Sequence, residues 1–332
     1  MAVVTLDHIE DLAGAALQRC GASPLQADAT ARSVRDAEAE GIRNVGLGYL
    51  PVYSAHLLCG KVVGAAVPTV AEPDGVILRA DAHFGFAHPA FEAALDSFDQ
   101  LARTSGVAVL TIGRSYSAGV LGWMVDRIAR RGLVALGFAN SSPLVAPWGG
   151  RTARLGTNPL AYAVPRDGSE PLVFDMATSA TAYVNIVQAA HENRPIPLGW
   201  ALDADGHPTD DPALALDGTV APLGGAKGFG LALLVEIFAA GLSASNWGID
   251  SSSFGDDVGG PPGVGQTFIA IDPGRCDKMF GQRVERLLAV LCAEDGVRLP
   301  GDRRHASRRA AQTNGVEVPE ELLQQIYALG RR

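Results

Sequence analysis

The sequence predicts a globular α/β protein, and three observations carry that expectation. Short β-branched and apolar runs alternate with helical stretches from residue 76 onward. Helix-start signals stand near both ends of the chain. The composition, 47% hydrophobic and 19% charged over 332 residues, suits a packed core and argues against disorder. That length allows two domains or one large one.

Thr5 caps a first helix with apolar positions Ile9, Leu12, Ala13 and Leu17, stopped at Gly21. Ser23-Pro24-Leu25-Gln26 opens a second: Ser caps, Pro takes the first helical position, and Gln26 completes a capping box. It runs to about Glu40 and stops at Gly41, before a loop to Gly48 and an apolar-polar stretch around Leu50 and Tyr53. Val76–Leu78 is a short strand. Pro89 opens a helix carrying Phe91, Leu95, Phe98 and Leu101 at helical spacing. Val107–Ile112 is a strand, Gly119–Arg131 a helix and Leu133–Phe138 a strand. Leu160–Val164 and Leu172–Phe174 are further strands, followed by a helix over Thr181–His191. Pro195–Pro212 reads as a polar surface loop. Gly228–Leu242 is an apolar helix and Thr267–Ile271 a strand. Helices over Asp277–Cys292, Asp302–Ala311 and Pro319–Leu329 close the chain.

Net charge is −9, with no basic block before the C-terminal end, so nucleic acid is not an expected partner. Cys20, Cys59, Cys276 and Cys292 form no CxxC pair, which excludes zinc-ribbon and thioredoxin readings and fits a reducing cytoplasm. MAVVTLDHIEDL lacks the basic-then-apolar pattern of a leader, and every apolar run breaks well short of a membrane span.

Common cofactor fingerprints fail. No GxGxxG follows a strand, Lys227 is followed by Gly228 and not by Ser or Thr, and GxSxG and HExxH are absent. The seven histidines read as surface or core residues, and no metal site is expected. Several clusters are nonetheless more specific than ordinary loops. Leu155-Gly156-Thr157-Asn158-Pro159 is a turn exposing a hydroxyl and an amide. Asp175-Met176-Ala177-Thr178-Ser179 ends a strand, where open α/β sheets bind ligands. Lys227 in Gly224-Gly225-Ala226-Lys227-Gly228-Phe229-Gly230-Leu231 stands at a glycine-rich helix start suited to phosphate. Arg303 and Arg304 offer planar forks. Taken singly, each is better explained by turn architecture or a solvated charge; it is their occurrence together, in this order, that points to a site.

The GTNP, DMATS, PTxDP and GGxKGxGL elements, in this order, resemble the malate/L-lactate dehydrogenase-like NAD(P)-dependent oxidoreductases, from Ile9 to about Gly315. The resemblance implies a non-Rossmann, three-part α/β fold with N- and C-terminal helices packed together, and a homodimer. It implies a helical domain (1–75 with 301–332), a cofactor-binding α/β domain (76–145 with 267–300) and a strand-rich domain (146–266) contributing cofactor and substrate contacts. The implied cofactor contacts are Ser117, Ala118, Gly119, Val120, Leu121, Ser141, Asp175, Met176, Ala177, Lys227, Gly301, Arg303 and Arg304, for NADPH or NADH, with the two arginines favouring NADPH. Thr157 matches a substrate-contact threonine.

The catalytic loop departs from the family pattern. Where the family reads Ser-His-Gly, with His as proton donor, this chain reads Asn44-Val45-Gly46. The family's carboxylate-binding arginine is Tyr49, its second histidine Ser117, and a further arginine Tyr183, followed by Val184-Asn185 in place of Gly-Lys. Losing bidentate arginines disfavours a small 2-oxo acid. Tyr49, Tyr116 and Asn44 become the candidate catalytic residues, and Tyr49, Thr157 and Tyr183 the candidate substrate contacts. Two classes follow: a reductase for an imine, enone or ketone without that carboxylate, or a non-redox enzyme or inactive relative that kept the fold.

Overall fold

The computed structural model describes residues 1–330; the last two residues of the expected helical domain, 331–332, lie outside the described residues. Strand β1 (Ala2–Val4) leads into α1 (Leu6–Arg19), whose cap Thr5 accepts from the His8 N–H. Ser23 caps α2 (Pro24–Ala39) by accepting from the Gln26 N–H. The Gln26 side chain does not close a capping box. It is buried, donates to the Ala66 carbonyl and accepts from the Phe86 N–H, both at 2.8 Å. Two buried backbone groups would otherwise lack partners, which costs more than one exposed cap gains. The loop after Gly41 winds as two 3-10 turns, Arg43–Val45 and Leu47–Tyr49, into a helix the pattern did not announce, α3 (Leu50–Cys59).

Next come β2 (Thr69–Val70), β3 (Ile77–Asp81), α4 (Ala87–Ser105), β4 (Val107–Ser115), α5 (Leu121–Ala129), β5 (Val134–Ala139), β6 (Leu160–Val164) and β7 (Leu172–Met176). Pro89 sits within the first turn of α4, not at its first position. A second layer follows: α6 (Tyr183–His191), β8 (Ala201–Leu202), β9 (Pro208–Thr209), α7 (Pro212–Leu216) and β10 (Thr219–Val220). The expected polar loop 195–212 therefore carries two strands of a small sheet, ordered β10-β8-β9. Helix α8 (Ala226–Glu236) ends in a π turn, Ile237–Gly241. The chain closes with β11 (Val264–Ile271), α9 (Pro273–Cys276), α10 (Phe280–Leu291), α11 (Asp302–Asn314), β12 (Val316–Val318) and α12 (Glu320–Ala328).

The main sheet has seven strands in the order β2-β3-β4-β11-β5-β6-β7. Only β3 and β4 pair in parallel; every other pair is antiparallel, so this is not a Rossmann sheet. Strands β6 and β7 continue the sheet across the division expected at residue 146. Helices α4 and α5 bury Phe91, Phe98, Met124 and Ile128 against it. Antiparallel β1–β12 pairing joins the chain ends, and Leu17 of α1 shares a core with Leu323 and Ile326 of α12, so the terminal helices pack together. No helix among the described residues is long and apolar enough to cross a membrane.

Candidate active site

Backbone hydrogen bonds gather three sequence clusters at the end of β7. The Thr178 N–H and hydroxyl donate to the Thr157 carbonyl at 2.9 and 3.1 Å, and the hydroxyl also to the Asn158 carbonyl at 3.0 Å. The Leu223 N–H donates to the Thr178 carbonyl, and the Ala180 N–H to the Ala221 carbonyl. The GTNP turn, the Asp175–Ala177 strand end and the glycine-rich start of α8 thus lie side by side. Glu236, buried on α8, locks them. Its carboxylate accepts from Asn158 Nδ2 (2.7 Å), the Gly248 N–H (2.6 Å) and Asn140 Nδ2 (3.2 Å). Asn158 holds a left-handed φ of 40°, a conformation that asparagine tolerates better than bulky residues. Ser141 borders the same turn: a Cβ at Gly156 would fall 2.2 Å from Ser141 Oγ, so only glycine fits.

Asp175 joins this group to the 117–121 segment. Its Oδ2 accepts from the Gly122 N–H at 2.9 Å and from Arg304 Nη1 at 3.4 Å. A Cβ at Gly122 would fall 2.7 Å from that guanidinium. Gly301 caps α11 with φ 96°, against the Val173 backbone. Within 117–121, Ala118, Val120 and Leu121 are buried, while Ser117 and Gly119 are partly open, and Ser117 Oγ accepts from the Gly119 N–H.

These residues fit a dinucleotide. Lys227 and Arg303 are exposed and form no ion pair among the described residues. The Ser141 hydroxyl is buried without a partner. Unpaired cations suit phosphates, and an unmatched buried hydroxyl suits a polar ligand atom.

A second cluster is aromatic. Asn44 is exposed, and Val45 packs against the central core. Glu38 lies beneath them, accepting from the Leu47 N–H at 2.7 Å; burial pushes its carboxyl up. Tyr49 is half-buried and meets Tyr53 edge-on, ring centres 4.9 Å apart. Tyr53 meets Tyr116 at 5.9 Å. Tyr116 is fully buried, and its hydroxyl lies 2.5 Å from His56 Nδ1. Burial pushes all three phenols up, so they stay protonated. Tyr183 stands on the second layer, packed with Trp200 and Phe229 against a separate core, while Tyr49 packs with the terminal helices. The Asn185 amide donates to the Thr181 hydroxyl at 2.9 Å.

Gly119 is where the two clusters meet. Its φ is +62°, and a Cβ there would fall 3.2 Å from His88 Nε2 and 3.4 Å from the Tyr53 hydroxyl.

The comparisons with known proteins agree with this architecture. The family profile described as malate/L-lactate dehydrogenase matches residues 4–327. The chain belongs to the malate/L-lactate dehydrogenase family. It is 42% identical over 331 residues to (2R)-3-sulfolactate dehydrogenase (NADP(+)) of Chromohalobacter salexigens, covering 99% of each chain. It is 39% identical over 311 residues to a Delta(1)-pyrroline-2-carboxylate/Delta(1)-piperideine-2-carboxylate reductase of Pseudomonas syringae pv. tomato, covering 93% of this chain and 91% of that one. The crystal structure of delta1-piperideine-2-carboxylate reductase from P. syringae superposes with a TM-score of 0.95 at 37% identity, over 99% of this chain and all of that one. This family member is an oxidoreductase that uses NAD(P) as cofactor.

Two histidines beside these clusters, His56 and His88, read in the sequence only as ordinary core or surface. His56 had a signal: Tyr49, Tyr53 and His56 are spaced four and three apart, one face of a helix. His88 had none, because what makes it unusual is its burial beneath Gly119.

Proposed function

We propose that this family member reduces an imine, enone or ketone lacking the 2-oxo acid carboxylate, with Tyr49 as proton donor. The carrying observation is the aromatic cluster. Val45 has no proton to give, and the place where the family resemblance expects a carboxylate-binding arginine holds Tyr49, packed edge-on against Tyr53. A phenol donates when it is positioned against the developing anion and its own anion is stabilised. Tyr116 is itself fully buried, with its hydroxyl paired to His56 Nδ1, so the half-buried Tyr49 is the better placed of the two phenols.

When bound, the nicotinamide supplies or accepts hydride at the substrate carbon. Lys227 and Arg303 would meet phosphates, Arg303 and Arg304 favouring NADPH. Asp175 sets the loop that opens α5, and Thr157 and Tyr183 face the substrate. The exposed apolar row Leu231, Leu234 and Ile237 on α8 and its π turn supports a homodimer; light scattering at micromolar concentration tests it. All four cysteines are free, in keeping with a cytoplasmic enzyme.

The test is a substrate panel with NADPH and NADH. Pyruvate, oxaloacetate and cyclic imino acids are expected to turn over poorly, because a missing general acid costs about 10²–10⁴ in rate and an unpaired carboxylate weakens binding further. 1-Pyrroline, 2-cyclohexenone and simple ketones probe the proposed class. Reduction of a simple 2-oxo acid at an ordinary rate of about 1–10³ s⁻¹ overturns this reading.

A further inference from the structure

We propose that Tyr53 contacts the bound cofactor, its hydroxyl donating a hydrogen bond to the carboxamide oxygen of the nicotinamide. The proposal rests on the reading above that the cofactor runs from Lys227 to the 117–121 segment, and it names the residue that fixes the reactive end.

Tyr53 lies on α3 one turn after Tyr49, and only 2% of it is exposed. Leu50 and Leu57, three residues before it and four after, are buried on the same helix face. Tyr49, Phe86 and Tyr116 meet the ring edge-on, with ring centres 4.9, 5.3 and 5.9 Å away. So confined, the ring carries its hydroxyl to Gly119, where a Cβ would fall 3.4 Å from it. Gly119 belongs to the segment that opens α5. That segment is tied to the end of β7 by the Gly122 N–H, which donates to Asp175 Oδ2 at 2.9 Å. The Tyr53 hydroxyl is thus the polar group that the aromatic cluster brings to the cofactor segment.

A buried tyrosine usually spends its hydroxyl on a hydrogen bond within the protein. Tyr116 does so with His56 Nδ1, whereas Tyr53 has no such partner among the described residues. His88 repeats the pattern: its Nε2 would lie 3.2 Å from the same Cβ, and neither ring nitrogen is partnered. Two unmatched polar groups therefore converge on one glycine. His88 is wholly enclosed, which leaves Tyr53 as the group that meets a ligand.

The chemistry of the spot selects the ligand atom. Burial keeps the Tyr53 phenol protonated, so it is a donor. Its neighbours are Tyr49, Phe86, Tyr116 and His88, and none is a cation at neutral pH. That setting suits a neutral acceptor and not a phosphate. The carboxamide oxygen is the neutral acceptor on a nicotinamide ring. Hydride and proton go to adjacent atoms of one substrate bond, so that ring belongs beside the proton donor. Tyr49, the proposed donor, is edge-on to Tyr53. A ring already held on three sides also loses little freedom when it binds.

The test uses the full chain and Tyr53→Phe, which removes one oxygen and keeps the ring. Without nucleotide the variant should melt at or above the parent temperature, because the fold loses no hydrogen bond. In calorimetric titration its affinity for NADP(+) should be about three- to tenfold weaker. The thionicotinamide analogue of NADP(+) carries sulfur, a poor acceptor, in place of the carboxamide oxygen. It should bind the parent more weakly than NADP(+) does, and that gap should narrow in Tyr53→Phe. Melting several degrees below the parent, NADP(+) affinity equal to the parent's, or an analogue gap of the same size in both proteins each overturns the inference. None of these readouts needs a substrate. With any panel substrate that turns over, a raised substrate KM at unchanged NADP(+) affinity also overturns it, by giving the hydroxyl to the substrate. Weakened binding in Lys227→Ala beside parental binding in Tyr53→Phe overturns this inference alone. The reverse pair of results supports it and overturns the Lys227 assignment instead.

Discussion

Acidification should destabilise this protein by about 3 kcal/mol through His88 alone. His88 is fully buried in the first turn of α4, under Gly119 and edge-on to Trp123, with ring centres 5.6 Å apart. Neither ring nitrogen has a hydrogen-bond partner of ordinary geometry, although the Ala118 backbone lies near. Burial pushes the imidazole from 6.5 down to about 4. Between those values the unfolded chain takes up a proton that the folded chain refuses, so stability falls as pH falls. At about 1.4 kcal/mol per pH unit, that interval yields the 3 kcal/mol. Above the unfolded value the term is constant. Other groups act alongside. Asp81, Glu170 and Glu285, held low in the folded state, also lose stability in acid. Glu38 and Glu40, pushed up by burial, contribute with the opposite sign. A comparison with His88→Leu cancels these shared terms. Urea unfolding of both proteins from about pH 7 to about pH 4 should give free-energy curves that run parallel above about pH 6.5, with the parent losing about 3 kcal/mol more than His88→Leu by about pH 4. Curves that stay parallel throughout refute the argument.

Lys227→Ala should weaken NADPH binding by ~1–3 kcal/mol, read by nucleotide fluorescence titration, because a charged hydrogen bond to phosphate is lost; unchanged affinity removes Lys227 from the site. Glu236→Gln should cost ~2–4 kcal/mol, since one of the donors held by the carboxylate then faces an N–H₂ group, and should lower the melting temperature by several degrees in calorimetry. Melting within about 1 °C of the parent would show that the network carries little. Gly156→Ala should abolish tight cofactor binding or folding, because its Cβ would overlap Ser141; a soluble variant with parental NADPH affinity contradicts that packing.

Helix starts were legible in the sequence wherever the cap and its partner lie within a few residues. Thr5 with His8 and Ser23 with Gln26 are such pairs, because a helix end can be satisfied by its own neighbourhood. Strands β4 and β5 were legible for a similar reason: apolar runs bounded by glycine and polar turns declare themselves. The motif clusters around Thr157, Asp175 and Lys227 could be recognised one by one, and their order pointed to the family. Other features needed partners remote in sequence. Strand β11 enters between β4 and β5 from more than a hundred residues away, a pairing no local pattern encodes. Gln26 left its own helix cap for Ala66 and Phe86 because burial left those groups unmatched. The strands in the polar 195–212 excursion are two residues each, too short to show alternation; β8 pairs with β9 on one side and, on the other, with β10 from beyond the excursion. His56 and His88 look alike in the sequence; the fold makes one an acceptor for Tyr116 and leaves the other without a partner. Burial and the pairing of distant polar groups are properties of the packed chain, so the chemistry of this site was decided there.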